Sequence, residues 1–500
     1  MRQLLGWYAT SFAAEPFLVS AVATYIPLFL EQLARNNAVW AIDHRTPCLS
    51  VPADDPGLGP VPMPPPACVV RVLYWYIDTS SLPLYTFSMS VLVQTVLVIS
   101  ITGIADRGAH RKRLLVMFAV IGACSVILMG FISTRHYYIA ALLAIVGNAA
   151  FGAVSVCANA YLPSLVDEFV YEESRRRQAA FDRYYGACAE LEQPSKTQIS
   201  ARISGRGVAI GYFAALFMQM FTMFLVFKFR GPEESTRILQ LVIAIIGVWW
   251  LVFQIPVMRY LKSNHSTSDN PNSLSFLQNL GYGWKSLALT IAKAQELQDV
   301  CIFLVGWFVT SDAITTINST AVLFARGNLQ MNTPALAAIG LCTIISGIFG
   351  SLVIGRMKFK NPANSIIFIT LIAAVIPLYG VLGFFTPWFG LRRPFEMYIM
   401  AAWYGLALGG LNTVCRSVFS LMIPRGHETM FFALFSVTDK GSSIMGPAIT
   451  GLITDKTHNI RYTFYFLLFM MLLAAIIFSK LNVERGIRES RHLEEQPDSI

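Results

Sequence analysis

Apolar stretches long enough to cross a bilayer recur along this chain, separated by polar breaks. Six are expected at roughly 7–32, 82–104, 114–134, 137–160, 207–228 and 238–260. Six more follow at 301–324, 335–355, 365–386, 397–422, 430–453 and 461–479. A helix rises 1.5 Å per residue, so about 20 such residues span the ~30 Å hydrocarbon layer. The pattern predicts an all-α polytopic membrane protein with twelve transmembrane helices in two sets of six. The first run is not a cleavable signal: it is too long, it carries Glu15, and no small-residue cleavage site follows it.

The longer breaks set the expected organisation. Residues 1–260 form an N-terminal bundle, 301–480 a C-terminal bundle, and 481–500 a tail. The break at 34–80 carries Pro47, Pro52, Pro56, Pro60, Pro62 and Pro64 to Pro66, and reads as irregular and polyproline-like. The break at 163–206 is charged, with Glu172 and Glu173 followed by Arg175 to Arg177. The linker 261–300 starts polar and ends in a segment patterned for a helix lying along the membrane surface.

Composition agrees with the pattern. Hydrophobic residues make up 55% of the chain and charged residues 13%, against about 25% charged in soluble domains. The formal net charge of +9 sits in loops between spans, where it sets topology and forms no nucleic-acid surface. With both termini cytoplasmic, the cytoplasmic segments hold roughly twice the Lys and Arg of the opposite loops. Discounting the long 163–206 loop narrows that margin. In this orientation 34–80 faces the lumen, where a Cys48–Cys68 disulfide is chemically permitted. Cys124, Cys157, Cys301, Cys342 and Cys415 fall inside apolar runs, Cys188 lies in a charged loop, and no CxxC metal pattern occurs.

Charged side chains in hydrocarbon are costly, so each intramembrane one is a candidate for function. Glu15 precedes Pro16, whose missing N–H leaves the Phe12 carbonyl without its helical partner. Asp312 lies near the centre of the seventh span among Thr, Ser and Asn residues. Arg416, after Asn412 and Thr413, needs an anion because a guanidinium keeps its proton. That anion is either protein, Asp439 or Glu428, or the carboxylate of a substrate. Asp439 and Lys440 sit in the eleventh span ahead of Gly446-Pro447, where a bend is expected. Asn148, Gln94, Asn159 and Gln219 are the remaining polar candidates, each more often an interhelical bond than a ligand. The glycines of Gly205 to Gly211 have the wrong spacing for a nucleotide loop and read as helix packing. With no Walker loop, HExxH, GxSxG or clustered His and Cys, no enzyme activity, cofactor or metal is expected.

Two similar stretches open the two sets of spans: Gly6 to Ser11, GWYATS, and Gly306 to Ser311, GWFVTS. Their positions fit a duplicated architecture, although Glu15 and Asp312 fall at different distances from Trp7 and Trp307.

The loop between spans two and three, "GIADRGAHRKRLL", resembles the signature loop of the major facilitator superfamily through Gly103, Asp106, Arg107, Arg111 and Lys112. Gly103 stands three residues before Asp106, where the superfamily pattern has four. Gly350 to Lys360 is a degraded counterpart without the acid. A narrower resemblance rests on Ser11 to Gln32, Gly207 to Ala215, Gly306 to Phe324 and Thr438 to Pro447, which look like the fungal autophagy-related protein 22 family. The resemblance implies a major-facilitator-type 6+6 pseudo-symmetric bundle in the vacuolar membrane. It implies export of neutral, leucine-like amino acids to the cytosol during autophagic recycling. Two bundles then rock about a central site. Arg416 meets the substrate carboxylate, Glu15 or Asp312 meets its ammonium or carries a proton, and the acidic vacuole can drive export. The expected partners are small-molecule amino acids and the lipid bilayer, without nucleic acid, and a monomer is expected. The alternatives are a non-transporting membrane scaffold or nutrient sensor, and a facilitator for another small solute.

Overall fold

The computed structural model describes residues 2–41, 44–48, 68–72, 74–79, 81–106, 110–185, 195–229, 235–262, 281, 283–285, 288, 297–331, 333–359, 361–386, 388–442, 445–457 and 459–495. The first helix, α1, runs from Arg2 to Asn36 in three parts: α-helical to Pro16, π-helical over Phe17–Tyr25, then α-helical again. Pro16 explains the change. The Phe12 carbonyl that it leaves open accepts a hydrogen bond from Trp249 Nε1 at 3.1 Å.

The rest of the first half comprises α2 (Ser81–Asp106), α3 (Arg111–Met129), α4 (Tyr137–Asn159), α5 (Leu162–Tyr185), α6 (Lys196–Lys228) and α7 (Ser235–Tyr260). The second half comprises α8 (Gln298–Gly327), α9 (Thr333–Ile354), α10 (Pro362–Phe385), α11 (Pro394–Leu421), α12 (Glu428–Ser442), α13 (Met445–Thr457), α14 (Thr463–Ser479) and α15 (Val483–Glu495). Ten helical stretches among the described residues are long and apolar enough to cross a membrane. The predicted spans at 397–422 and 430–453 fall outside those ten. The first of them corresponds to α11, which carries Arg416. The second comprises α12, which carries Glu428, Asp439 and Lys440, and α13, and residues 443–444 between them lie outside the described residues.

Buried apolar side chains form two large clusters. One draws only on residues 7–261, around Trp7, Phe17, Phe29 and Trp250. The other is built from residues 297–483 around Phe303, Phe324, Phe419 and Phe432, and takes in Val98 from α2, Val156 from α4 and Ala160 just after α4. Between the halves, α6 packs on α9 and α11, and α12 packs on α2 and α4.

Two breaks carry more structure than the sequence predicts. Within 34–80, β1 (Val39–Trp40), β2 (Cys68–Val72) and β3 (Trp75–Asp78) form an antiparallel sheet in the order β1-β2-β3, and Cys48 is bonded to Cys68. Cross-strand pairing satisfies the backbone that a polyproline reading leaves to water, and residues 49–67, with most of the prolines, lie outside the described residues. The charged 163–206 break is helical as α5 up to Tyr185, where Glu172–Arg176 and Glu173–Arg177 pair one turn apart, and its last residues from Lys196 begin α6. Of the linker helix expected within 261–300, too little is described to trace, although Trp284 Nε1 donates to Ser100 Oγ at 3.0 Å. Cys188 and Arg107 lie outside the described residues.

Candidate functional site

A cavity of about 180 Å³ lies between the halves. The first half contributes Ser11, Glu15, Gln94, Asn159 and Tyr212, and the second contributes Asn412, Arg416, Asp439 and Lys440. Its apolar wall includes Trp307, stacked on Phe435 with ring centroids 4.9 Å apart and planes 15° apart, together with Leu18 and Phe151.

Glu15 reaches the cavity from the last turn before the π segment. Gly211 on α6 makes room for it: a Cβ there would stand 3.2 Å from Glu15 Cβ and Cγ. Among the described residues the Glu15 carboxylate takes part in no ion pair and no hydrogen bond. Arg416 reaches in from α11. Its Nε donates to Ser204 Oγ at 3.0 Å, its Nη2 to the Ser204 carbonyl at 2.8 Å and its Nη1 to Asn159 Oδ1 at 3.4 Å. The guanidinium carbon lies 5.2 Å from the centroid of the Trp7 ring.

Every hydrogen-bond partner of Arg416 is therefore neutral. Of the two protein anions considered from sequence, Glu428 pairs with Arg111 at 2.9 Å. Asp439 accepts from Ser311 Oγ at 2.7 Å and lies 3.5 Å from Lys440 Nζ. Asn412 lines the same cavity, and its amide donates to Tyr212 Oη at 2.9 Å across the halves.

The other candidates are placed elsewhere. Asp312 is buried, and its Oδ1 accepts from the Gly446 N–H at 2.9 Å, at the start of α13. It thus binds the backbone in the first turn of α13, beside Pro447. Asn148 donates to Ser90 Oγ at 2.7 Å and lines a smaller pocket between α1, α2 and α4.

Asp106 and Arg111 tie the halves at one end. Asp106 accepts from the Thr429 and Met430 N–H groups, each at 2.9 Å, in the first turn of α12. Arg111 Nη2 bridges Asp106 and Glu428 at 2.8 and 2.9 Å. Gly103 is buried in α2, and Lys112 lies in the first turn of α3. Ser200, Ser204 and Asp167 add bonds to Ser420, Thr413 and Arg425 on the other half. These cross-links cluster at the end where Arg2 and α15 lie, and the disulfide-bonded sheet occupies the opposite end.

Sequence reasoning did not single out Ser204, Trp7 or Tyr212. The one signal for Ser204 is its spacing: Ser200 and Ser204 stand one helical turn apart beside the small-residue run on α6.

Two helical halves enclosing a polar central cavity define a membrane-spanning chain with the fold of major facilitator superfamily transporters. The proton:xylose symporter XylE superposes with a TM-score of 0.63, covering 96% of this chain and 94% of its own at 11% identity. An outward-conformation FucP superposes with a TM-score of 0.60, covering 96% and 98% at 12% identity. At those identities the likeness speaks for the fold alone. The sequence carries the finer placement: the chain belongs to the vacuole effluxer Atg22-like family, whose model matches residues 1–491. It is 44% identical to autophagy-related protein 22 of Yarrowia lipolytica, over 99% of this chain and 98% of the relative. It is 41% identical to autophagy-related protein 22 of Saccharomyces cerevisiae, over 98% and 94%.

Proposed function

We propose that this chain exports neutral, leucine-like amino acids from the vacuole lumen to the cytosol during autophagic recycling. The observation that carries this reading is the pairing of Glu15 and Arg416 in one cavity. They come from opposite halves, and neither makes a direct ion pair with a described residue. A zwitterion supplies the missing partner to each: its carboxylate to Arg416 and its ammonium to Glu15. Asp439 and Lys440 add one charge of each sign, so the four charged groups sum to zero. Such a site favours a solute that is itself neutral overall. Trp307, Phe435, Phe151 and Leu18 give an apolar side chain a surface to bury against, at ~25 cal/mol per Å².

In this reading the chain spans the membrane twelve times, as two bundles of six at 1–260 and 301–480. Both termini and the 261–300 linker lie on the cytosolic side. The cross-links at the Asp106 end close the cytosolic mouth while the lumenal side loads, and rocking of the bundles reverses this. The family description and the names of its relatives support the vacuole and autophagy.

The test is efflux from proteoliposomes loaded with a radiolabelled panel: leucine, other amino acids, small peptides and sugars. Leucine-selective efflux that grows with an inside-acid gradient supports the whole reading. Leucine efflux indifferent to the gradient removes proton coupling and keeps the substrate. No efflux of any amino acid from correctly inserted protein turns the assignment toward a sensor or scaffold.

A further inference from the structure

Arg416 has two tasks in the same place. It lines the cavity, and it holds the halves together. All of its hydrogen bonds cross from α11 to the first half: two to Ser204 on α6 and one to Asn159 on α4. The surroundings are closed. Ser204 Oγ donates onward to the Thr413 carbonyl at 2.9 Å. A Cβ on the adjacent Gly205 would stand 2.5 Å from the Ser351 carbonyl of α9, so backbones of opposite halves nearly touch.

The acceptors on Arg416 are a hydroxyl, an amide oxygen and a peptide carbonyl. A carboxylate is a stronger acceptor: charge-assisted bonds are roughly twice as strong as neutral ones, and the planar fork matches a carboxylate bidentately. A carboxylate entering the cavity competes with Ser204 and Asn159 for the same N–H groups.

We propose that Arg416 is a ligand-operated latch: the substrate's carboxylate draws the guanidinium off Ser204 and Asn159, and losing those cross-half bonds frees the closed end to open. This rests on the amino-acid reading of the cavity. It adds a selection rule that the reading lacks. A solute with an ammonium and an apolar chain but no carboxylate occupies the cavity without opening the far end. Arg416 then determines specificity at the step of opening as well as at binding.

Dyes attached through click-reactive residues at Arg113 and Lys358 report the width of the closed end. Both positions are exposed, belong to opposite halves and lie away from the cavity. The full chain is studied in lipid nanodiscs, with binding of radiolabelled leucine measured in parallel. Leucine is expected to shift the dye pair to longer distance. Leucinol, which carries a hydroxymethyl group in place of the carboxylate, is expected to displace leucine yet leave the distance unchanged. Ser204→Ala, which leaves the guanidinium intact, is expected to lower the leucine concentration for half-opening several-fold. Equal opening by leucine and leucinol, or an unchanged half-opening concentration in Ser204→Ala, overturns the latch. Absence of leucine binding to the wild-type chain overturns the amino-acid reading and the latch with it.

Discussion

Glu15 on α1 and Arg416 on α11 face the same cavity from opposite halves, and no described residue neutralises either by an ion pair. Removing one member of a desolvated charge pair costs about 2–5 kcal/mol. If the substrate completes both pairs, Arg416→Gln and Glu15→Gln should each weaken leucine binding by roughly 30-fold or more. Arg416→Lys should fall between, keeping the charge and losing the fork. Equilibrium leucine binding on purified variants with wild-type melting temperatures checks this. Unchanged affinity in both Gln variants would remove these residues from the site.

Gly211 offers a test that leaves every polar group in place. An added methyl would sit 3.2 Å from the Glu15 side chain and push the carboxylate from its position. Gly211→Ala should therefore weaken leucine binding severalfold with little loss of thermal stability. Wild-type affinity in this variant would mean that Glu15 is free to move without penalty.

Asp312 is expected to behave differently from Glu15. Its carboxylate holds the Gly446 N–H at 2.9 Å, and an added Cβ on Gly446 would collide with Thr316 Oγ1. Asp312→Asn keeps an acceptor for that N–H and should preserve stability and most of the transport. Asp312→Leu leaves a buried donor unpaired at a cost of about 1–3 kcal/mol, which should lower the melting temperature in detergent. Loss of transport in Asp312→Asn at wild-type stability would instead give the charge itself a role.

The long elements of this fold are legible because hydrophobic runs and their breaks report helices directly. The second half of the predicted set is less so. Hydropathy treats 430–453 as one span and gives no sign that Asp312 reaches its backbone at Gly446. Nothing local to α13 announces that contact, since its partner lies about 130 residues away. The same limit applies at the site. Glu15 and Arg416 stand out as charges in apolar runs, but Ser204 is an ordinary helix serine until α11 is packed against it. The sheet at 34–80 is hidden for another reason. Its strands are short, and the pairing joins segments on either side of a proline-rich stretch.

Asp106 caps α12 across the halves, so its loss should loosen that end. The carboxylate accepts two backbone N–H bonds and also pairs with Arg111. An N-terminal cap contributes about 1 kcal/mol, and a negative charge at a helix start adds roughly 0.3–1 kcal/mol. Asp106→Ala should widen the Arg113–Lys358 dye distance without ligand, while Asp106→Asn should do so less. A dye distance unchanged in Asp106→Ala would show that Arg111–Glu428 and the Ser200–Ser420 contact suffice to keep the end shut.

The disulfide at the opposite end should matter for durability more than for transport. Cys48 and Cys68 are separated by 20 positions, and closing a loop of that size removes denatured-state entropy equivalent to about 3 kcal/mol. The bond joins the segment beside β1 to β2, far from Arg416 and from the Asp106 contacts. Replacing both cysteines with serine should make the 34–80 region cleavable at lower protease concentration. The leucine affinity of the intact chain should stay within about twofold of wild type, because the helices lining the cavity have their own buried core. A large loss of affinity, with the sheet still protease-resistant, would instead tie the disulfide-bonded region to the cavity itself.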